Sequence, residues 1–202
     1  MAGRFVVLEG GDGSGKSTQA RCAAVQLRAR GLAVYETFEP GATAAGAVIR
    51  ELLLHGHAPV APVTEALLMA ADRAQHVHEQ IAPALARGEW VVCDRFVPSS
   101  LVYQGIVRGL GAAAVETMNE VATAGVCPDV VVVLDVPDDV VAARTDAPRD
   151  RLESEGDAFH AAVRDAYRFL AAERGWVVVD GTGDVDTVAA RVWARLEPLL
   201  AG

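Results

Sequence analysis

Lysine is almost missing from this chain: its 18 basic residues are 17 arginines and the single Lys16. Heavy use of Arg, Ala and Val makes the scarcity itself uninformative; the position of the one lysine is not. Positive charge is short overall, with 27 Asp and Glu against 18 Lys and Arg for a formal net charge of −9. That excludes the basic surface needed to bind a nucleic-acid backbone. No apolar run approaches the ~20 residues of a membrane span, and residues 1–10 hold too short an apolar stretch for a secretory leader. Cysteines number three, Cys22, Cys93 and Cys127. Odd in number and widely spaced, they exclude a disulfide framework and a zinc site and point to a reducing, cytoplasmic setting. All three are expected as small core hydrophobes. Two H-x-H pairs, His55/His57 and His76/His78, have no carboxylate or cysteine partner close in sequence, and i,i+2 positions do not converge on a helix. They are expected at the surface.

What is present is a chain able to fold. Hydrophobic residues make up 51% and charged residues 22% of 202, which excludes a disordered polymer and suits one domain, residues 1–202, with room for a small lid. Short apolar runs at residues 4–9, 33–38, 90–94, 130–135 and 176–180 have strand length, and helical patterns separate them. The longest of these places Leu67, Ala70, Ala74, Val77, Ile81 and Leu85 at three- and four-residue steps. Strands apolar throughout are covered on both faces, so the pattern predicts a five-stranded parallel sheet flanked by helices, an α/β doubly wound fold. One charge-dense interruption, residues 144–157, contains Arg144, Arg149 and Arg151. It reads either as a solvated loop or as a lid that closes over an anionic substrate.

Gly10-Gly11-Asp12-Gly13-Ser14-Gly15-Lys16-Ser17 matches G-x-x-x-x-G-K-[ST] in full, directly after a predicted strand and opening a predicted helix. Such a loop turns successive backbone N–H groups onto phosphate oxygens, and the helix N-terminus adds partial positive charge. Lys16 is placed to reach the β- and γ-phosphates, and Ser17, followed by Thr18, to hold Mg²⁺. A chance lysine in a glycine-rich turn is a poor explanation when it is the only lysine. A guanine-specific GTPase of the N/T-K-x-D type needs a second lysine and is disfavoured. A regulatory ATPase or motor module stays open, and a small kinase fits the length best.

Other residues extend the site. Asp12 is either an Asp-Gly turn former or a carboxylate aimed away from the triphosphate at an acceptor hydroxyl. No arginine lies in the loop, so charge on a transferring phosphoryl group must be met from elsewhere. Asp94-Arg95 closes a strand on the side where such sheets bind ligands: the Asp can serve Mg²⁺ and the Arg can fork onto an acceptor phosphate. Met69 with Arg73, and Ser100 with Gln104, are four apart and so share faces. Together an Arg, a Gln and a Ser hydroxyl can read the edge of a pyrimidine, although isolated polar residues on helices are usually only solvated.

These stretches resemble the bacterial thymidylate kinase family over almost the whole chain. The resemblance is carried by the phosphate loop, Glu39-Pro40-Gly41, Thr64-Glu65-Ala66-Leu67-Leu68 with Ala70-Ala71-Asp72-Arg73, and Asp94-Arg95-Phe96. Ser99-Ser100-Leu101-Val102-Tyr103-Gln104-Gly105 with Arg108-Gly109 is its most specific stretch. Pro128-Asp129, Asp150-Arg151-Leu152-Glu153 and Tyr167 match as well.

The resemblance implies a P-loop kinase that phosphorylates dTMP from ATP with Mg²⁺, usually as a homodimer. It implies Arg73, Gln104 and Ser100 at the thymine, Asp12 at the 3′-hydroxyl, and Arg95 at the dTMP phosphate with Glu39 and Arg50 nearby. Asp94 would belong to the Mg²⁺ shell. Lid residues Arg149 and Arg151 would meet charge in transfer, and Arg144 with Gly181-Thr182-Gly183 would frame the adenine. Two positions depart from the family pattern. Phe38 stands for an arginine, and Met69 for a phenylalanine that stacks on the base, exchanging about 1–3 kcal/mol of stacking for about 0.3–1.5 of sulfur–ring contact. A weaker or roomier base pocket is expected, with another or modified pyrimidine monophosphate as the alternative acceptor and a non-catalytic nucleotide-binding regulator as a third reading.

Overall fold

The computed structural model describes residues 3–56, 59–144 and 155–201. The five expected strands form: β1 (Phe5–Gly10), β2 (Val34–Phe38), β3 (Trp90–Asp94), β4 (Val130–Asp135) and β5 (Val177–Asp180). They lie in the order β2-β3-β1-β4-β5 and every pair is parallel. β1, at the centre, is buried along its whole length, Glu9 included, as its apolar residues 5–8, covered on both faces, require.

Alternate side chains of the sheet feed two separate cores. Val6, Leu8, Val92, Val132 and Leu134 face α1 (Lys16–Ala29) and α9 (Val185–Leu196). Phe5, Val7, Val91, Cys93 and Val133 face the opposite layer. That layer includes α6 (Ala112–Thr123) and α8 (Asp157–Arg174), which contribute Val115, Val163, Ala166, Tyr167 and Leu170 to the core. Outside it, α2 (Ala44–Leu54) packs on α3 (Pro62–His76) through Leu53 and Leu54.

Two helical runs widen into π turns. Val77–Ile81 joins α3 to α4 (Ala82–Ala86), and Leu101–Val107 continues α5 (Val97–Ser100). The wider turn re-aims side chains that a regular helix would direct elsewhere, and the second one carries Tyr103, which reaches Asp12, and Gln104, which reaches Glu65. α7 (Asp138–Arg144) follows β4, and the interior of the expected lid, with Arg149 and Arg151, lies outside the described residues.

Two expectations fail. Cys93 is a core residue, but Cys22 is only partly buried and Cys127 is exposed. Cys127 falls on the connection from α6 to β4, which runs over the surface as loops do. His55 and His78 are exposed as expected and His57 lies outside the described residues, whereas His76 has no exposed surface at all. Its ring is drawn inside by two partners distant in sequence, Thr37 and Glu39. No helix among the described residues is long and apolar enough to cross a membrane.

Candidate active site

The chemistry-bearing residues gather at the carboxyl ends of β1, β3 and β4. β1 runs into the glycine loop, where Gly10 has φ 139 and an added Cβ would stand 2.6 Å from the Leu134 carbonyl oxygen. Only glycine fits that turn. α1 then starts at Lys16 with no side-chain cap and no acidic residue in its first turn. Its leading N–H groups are left for an anion. By contrast α2 and α9 are capped by Thr43 and Asp184.

Lys16 folds back over this loop, its Nζ donating to the Gly11 carbonyl at 2.6 Å. Burial, and then the positive charge of Arg95, lower its pKa from 10.5 to about 8. A bound triphosphate would restore the charge. Binding of a nucleoside triphosphate near pH 9 is therefore expected to take up close to one proton, and binding at pH 7 almost none. Calorimetry in buffers of different ionisation enthalpy measures that uptake directly, and equal uptake at the two pH values would contradict it.

Ser17 donates its hydroxyl proton to Asp94 Oδ2. The other oxygen, Asp94 Oδ1, is buried without a hydrogen-bond partner. A buried carboxylate oxygen with no donor is costly. Beside a Ser hydroxyl at the head of a phosphate loop, it suits a hard, oxygen-seeking cation that takes most of its ligands from water and phosphate. No cluster of three or more His, Cys, Asp or Glu is arranged for a metal among the described residues.

Arg95 follows Asp94 at φ 71. Its guanidinium pairs with Asp12 and donates to Ser99 Oγ at 3.0 Å and the Gly10 carbonyl at 3.3 Å. Tyr103 donates to the second Asp12 oxygen at 3.1 Å. Burial alone would raise the Asp12 pKa, but the charges of Arg95 and Lys16 hold it below the ordinary carboxylate value. The ion pair therefore holds both partners charged at the phosphate loop.

A second charged group lies deeper. Glu39 Oε2 accepts from Arg73 Nε at 2.8 Å and lies 2.8 Å from Nη2 in the ion pair, and its other oxygen is 2.9 Å from His76 Nδ1. Thr37 Oγ1 lies 2.7 Å from His76 Nε2. Arg73 Nη1 donates to Ser100 Oγ at 3.0 Å and to Asn119. Three of the five guanidinium hydrogens are in hydrogen bonds, on Nε and Nη1, while Nη2 faces Glu39 in an ion pair. Gln104 Nε2 donates to Glu65 at 2.9 Å, which fixes the amide. Arg50 donates to the Pro40 carbonyl at 2.7 Å and lies over the Phe38 ring, 6.0 Å from its centroid.

One cavity of about 390 Å³ joins these groups. Its lining includes Asp12, Gly13, Gly15, Lys16, Ser17 and Thr18 of the phosphate loop and α1, Glu39, Arg50, Met69, Arg73, Ser100 and Gln104 of the Arg73 cluster and its neighbours, and Asp94, Arg95 and Arg144. Gly10, Gly11 and Ser14 instead line a smaller space of about 110 Å³ behind the loop, against β4 and α8. Arg144 donates to the carbonyls of Gly181 and Gly183 at 3.0 and 3.2 Å, so the expected adenine-framing groups do meet. The Thr182 hydroxyl itself turns to Asp180 at 2.7 Å.

Sequence reasoning passed over several residues. Glu9 was signalled only by being a carboxylate inside an apolar strand; it is fully buried and accepts four hydrogen bonds. Asp135, at the end of β4, is held by Arg164 and Arg168 of α8 at 3.0 and 2.6 Å. Their i,i+4 spacing was the available signal.

Comparison with known proteins gives a consistent outcome. The family model described as thymidylate kinase matches residues 8–192. A thymidylate kinase of Synechococcus sp. (strain JA-2-3B'a(2-13)) is 48% identical over 198 residues, covering 97% of this chain and 95% of that protein. That of Leifsonia xyli subsp. xyli is 47% identical, covering 96% and 95%. That of Caldanaerobacter subterraneus subsp. tengcongensis is 41% identical, covering 100% and 99%.

Proposed function

The chain belongs to the thymidylate kinase family, and from that premise we propose that it transfers the γ-phosphoryl group of ATP to the phosphate of dTMP. The observation that carries this reading is the single cavity lined by Lys16 and Ser17, by Met69, Arg73 and Gln104, and by Arg95. A donor and an acceptor can meet there without either leaving the protein.

Each group has work consistent with its chemistry. The loop amides and Lys16 hold the donor phosphates. The acceptor phosphate competes with Asp12 for Arg95, and the released Asp12 can then accept from the 3′-hydroxyl. Nη2 of Arg73, which donates no hydrogen bond beside its ion pair with Glu39, suits a base carbonyl. Gln104, held by Glu65, keeps its carbonyl and second amide hydrogen for the N3–H and O4 of thymine. Arg50 stands at the acceptor-phosphate end. Arg144 with the 181–183 loop frames the adenine, and Arg149 and Arg151 are the candidates for meeting charge in transfer. The acceptor oxygen attacks the γ-phosphorus in line; positioning and charge neutralisation supply the catalysis, with no covalent intermediate.

Ser17 and Asp94 would hold Mg²⁺, which would supply positive charge against the donor phosphates. Two further expectations rest on family resemblance. A homodimer suits the exposed apolar side chains Val48, Leu52, Val63 and Leu67 on α2 and α3. A cytoplasmic setting suits three free thiols and ATP as donor.

The test is ADP release from ATP-Mg²⁺ with a panel of dTMP, dUMP, dCMP, UMP and AMP. The highest kcat/KM is expected for dTMP. Met69 is half-buried against the cluster containing Leu53 and Leu54, where it fills space without presenting an aromatic face. The margin over dUMP, one methyl group, is accordingly expected to be about 10- to 200-fold. A higher kcat/KM for any other member of the panel would overturn the assignment of the acceptor.

A further inference from the structure

Arg95 adopts a left-handed backbone conformation, uncommon for a residue with a long side chain, so its surroundings must hold it there. Its amide donates to the Leu8 carbonyl at 3.0 Å, which anchors the start of the turn. The side chain is held by a different device. Glu9 Oε1 accepts from the Phe96 and Ser99 amides at 2.9 and 3.2 Å, so the carboxylate cannot swing. Glu9 Oε2 accepts from two hydroxyls, Ser99 Oγ and Tyr167 OH, each at 2.7 Å. A hydroxyl has one proton to give. The two hydroxyls also lie 2.9 Å apart, but a carboxylate is the stronger acceptor; with their protons on Glu9, lone pairs face Arg95 Nη1, which lies 3.0 Å from Ser99 Oγ and 3.4 Å from Tyr167 OH.

We propose that Tyr167, on α8, is a positioning residue for Arg95: together with Ser99 it relays the negative charge of Glu9 to the guanidinium that receives the acceptor phosphate. The proposal rests on the reading of Arg95 as the ligand of that phosphate.

The arrangement has a direction. Two hydroxyls polarised by one carboxylate are better acceptors than free ones, because hydrogen bonds in a buried chain strengthen one another. Burial pushes the Glu9 carboxyl up from its ordinary value, and the charge of Arg95, followed by the Ser99 and Tyr167 hydroxyls, opposes that rise. The contacts to Nη1 also survive turnover. An acceptor phosphate replaces Asp12, whose contact is with Nη2. The Ser99 and Tyr167 contacts lie on the other nitrogen and remain, so the arm meets its ligand already oriented. Because Tyr167 belongs to the helix that follows residues 145–154, the orientation of Arg95 is tied to the seating of that helix on the sheet.

The experiment compares dTMP with thymidine, which has the same base and sugar but no phosphate. Dissociation constants are measured by calorimetry for the unmodified protein, Tyr167→Phe, Ser99→Ala and Arg95→Ala, with melting temperatures for each. Tyr167→Phe is expected to weaken dTMP about fivefold to tenfold, the worth of one or two lost hydrogen bonds, and thymidine by less than about twofold. Ser99→Ala, which removes the partner hydroxyl, is expected to act in the same sense and carries the test if the tyrosine variant does not fold. Equal weakening of both ligands would mean a general structural role and would overturn the proposal, as would no weakening of either. Arg95→Ala separates the two levels of the argument. If it discriminates between dTMP and thymidine and Tyr167→Phe does not, the relay alone is wrong. If Arg95→Ala fails to discriminate, the assignment of the acceptor-phosphate ligand falls, and the relay with it.

Discussion

Lys16→Ala is expected to lower kcat by at least about a thousandfold, the scale on which removal of a single positive group from a phosphoryl-transfer site acts. The size of the loss follows from the absence of a substitute. There is no other lysine in the chain and no arginine in the phosphate loop. Arg95, the nearest cation by its effect on Lys16, is already engaged by Asp12, Ser99 and Gly10. ATP affinity is expected to fall less than kcat, because the loop amides and the uncapped start of α1 remain. Stability is expected to hold or rise. A lysine whose pKa drops from 10.5 to about 8 on folding destabilises the native state while it is charged. That cost is present below pH 8 and disappears as pH rises toward 10.5. A coupled ADP assay beside a melting curve checks both halves; near-normal turnover would remove Lys16 from the mechanism.

The second large effect is on the fold. Arg73→Ala is expected to destabilise the protein by about 3–5 kcal/mol, because it leaves the Glu39 carboxylate buried without its main counter-charge. For a chain of this size that is a fall in melting temperature of roughly 6–20 °C. Both side chains are 3% exposed, so water offers little relief. His76 can offset part of the loss by facing Glu39 as a proton donor. Pairing Arg73→Met with Glu39→Leu should recover much of the stability, since an apolar pair of similar bulk replaces the ions, but it should not recover dTMP turnover. Chemical denaturation measures all three proteins. A single variant within about 1 kcal/mol of the parent would show that the pair is solvated in solution.

The same pair marks the limit of what could be read in the sequence. Strands and phosphate loop were legible because their signals are contiguous: an apolar run such as Val130 to Asp135, or eight consecutive residues from Gly10 to Ser17. The faces shared by Met69 with Arg73, and by Ser100 with Gln104, were legible from spacing, and all four side chains line one cavity. Contacts between distant segments left no local trace. His76 resembles a solvated helix residue until β2 brings Thr37 beside it. Glu9 resembles a strand end until the turn after β3 supplies two amides and a hydroxyl. Cys127 fails for the opposite reason: a small apolar side chain suggests the core, and only the path of the chain puts it on a loop.

Lys16 has one more consequence, for the covalent chemistry of the protein. Acylating or carbonyl reagents aimed at side-chain amines have a single target here, and it is the group we propose for the donor phosphates. Most proteins spread such damage over many surface lysines and lose activity gradually. This one has no harmless lysine to absorb it. An amine that begins to lose its proton near pH 8 is already partly nucleophilic under mildly alkaline conditions, so only its burial, and the nucleotide when bound, shields it. Each modification that reaches a lysine inactivates one whole molecule.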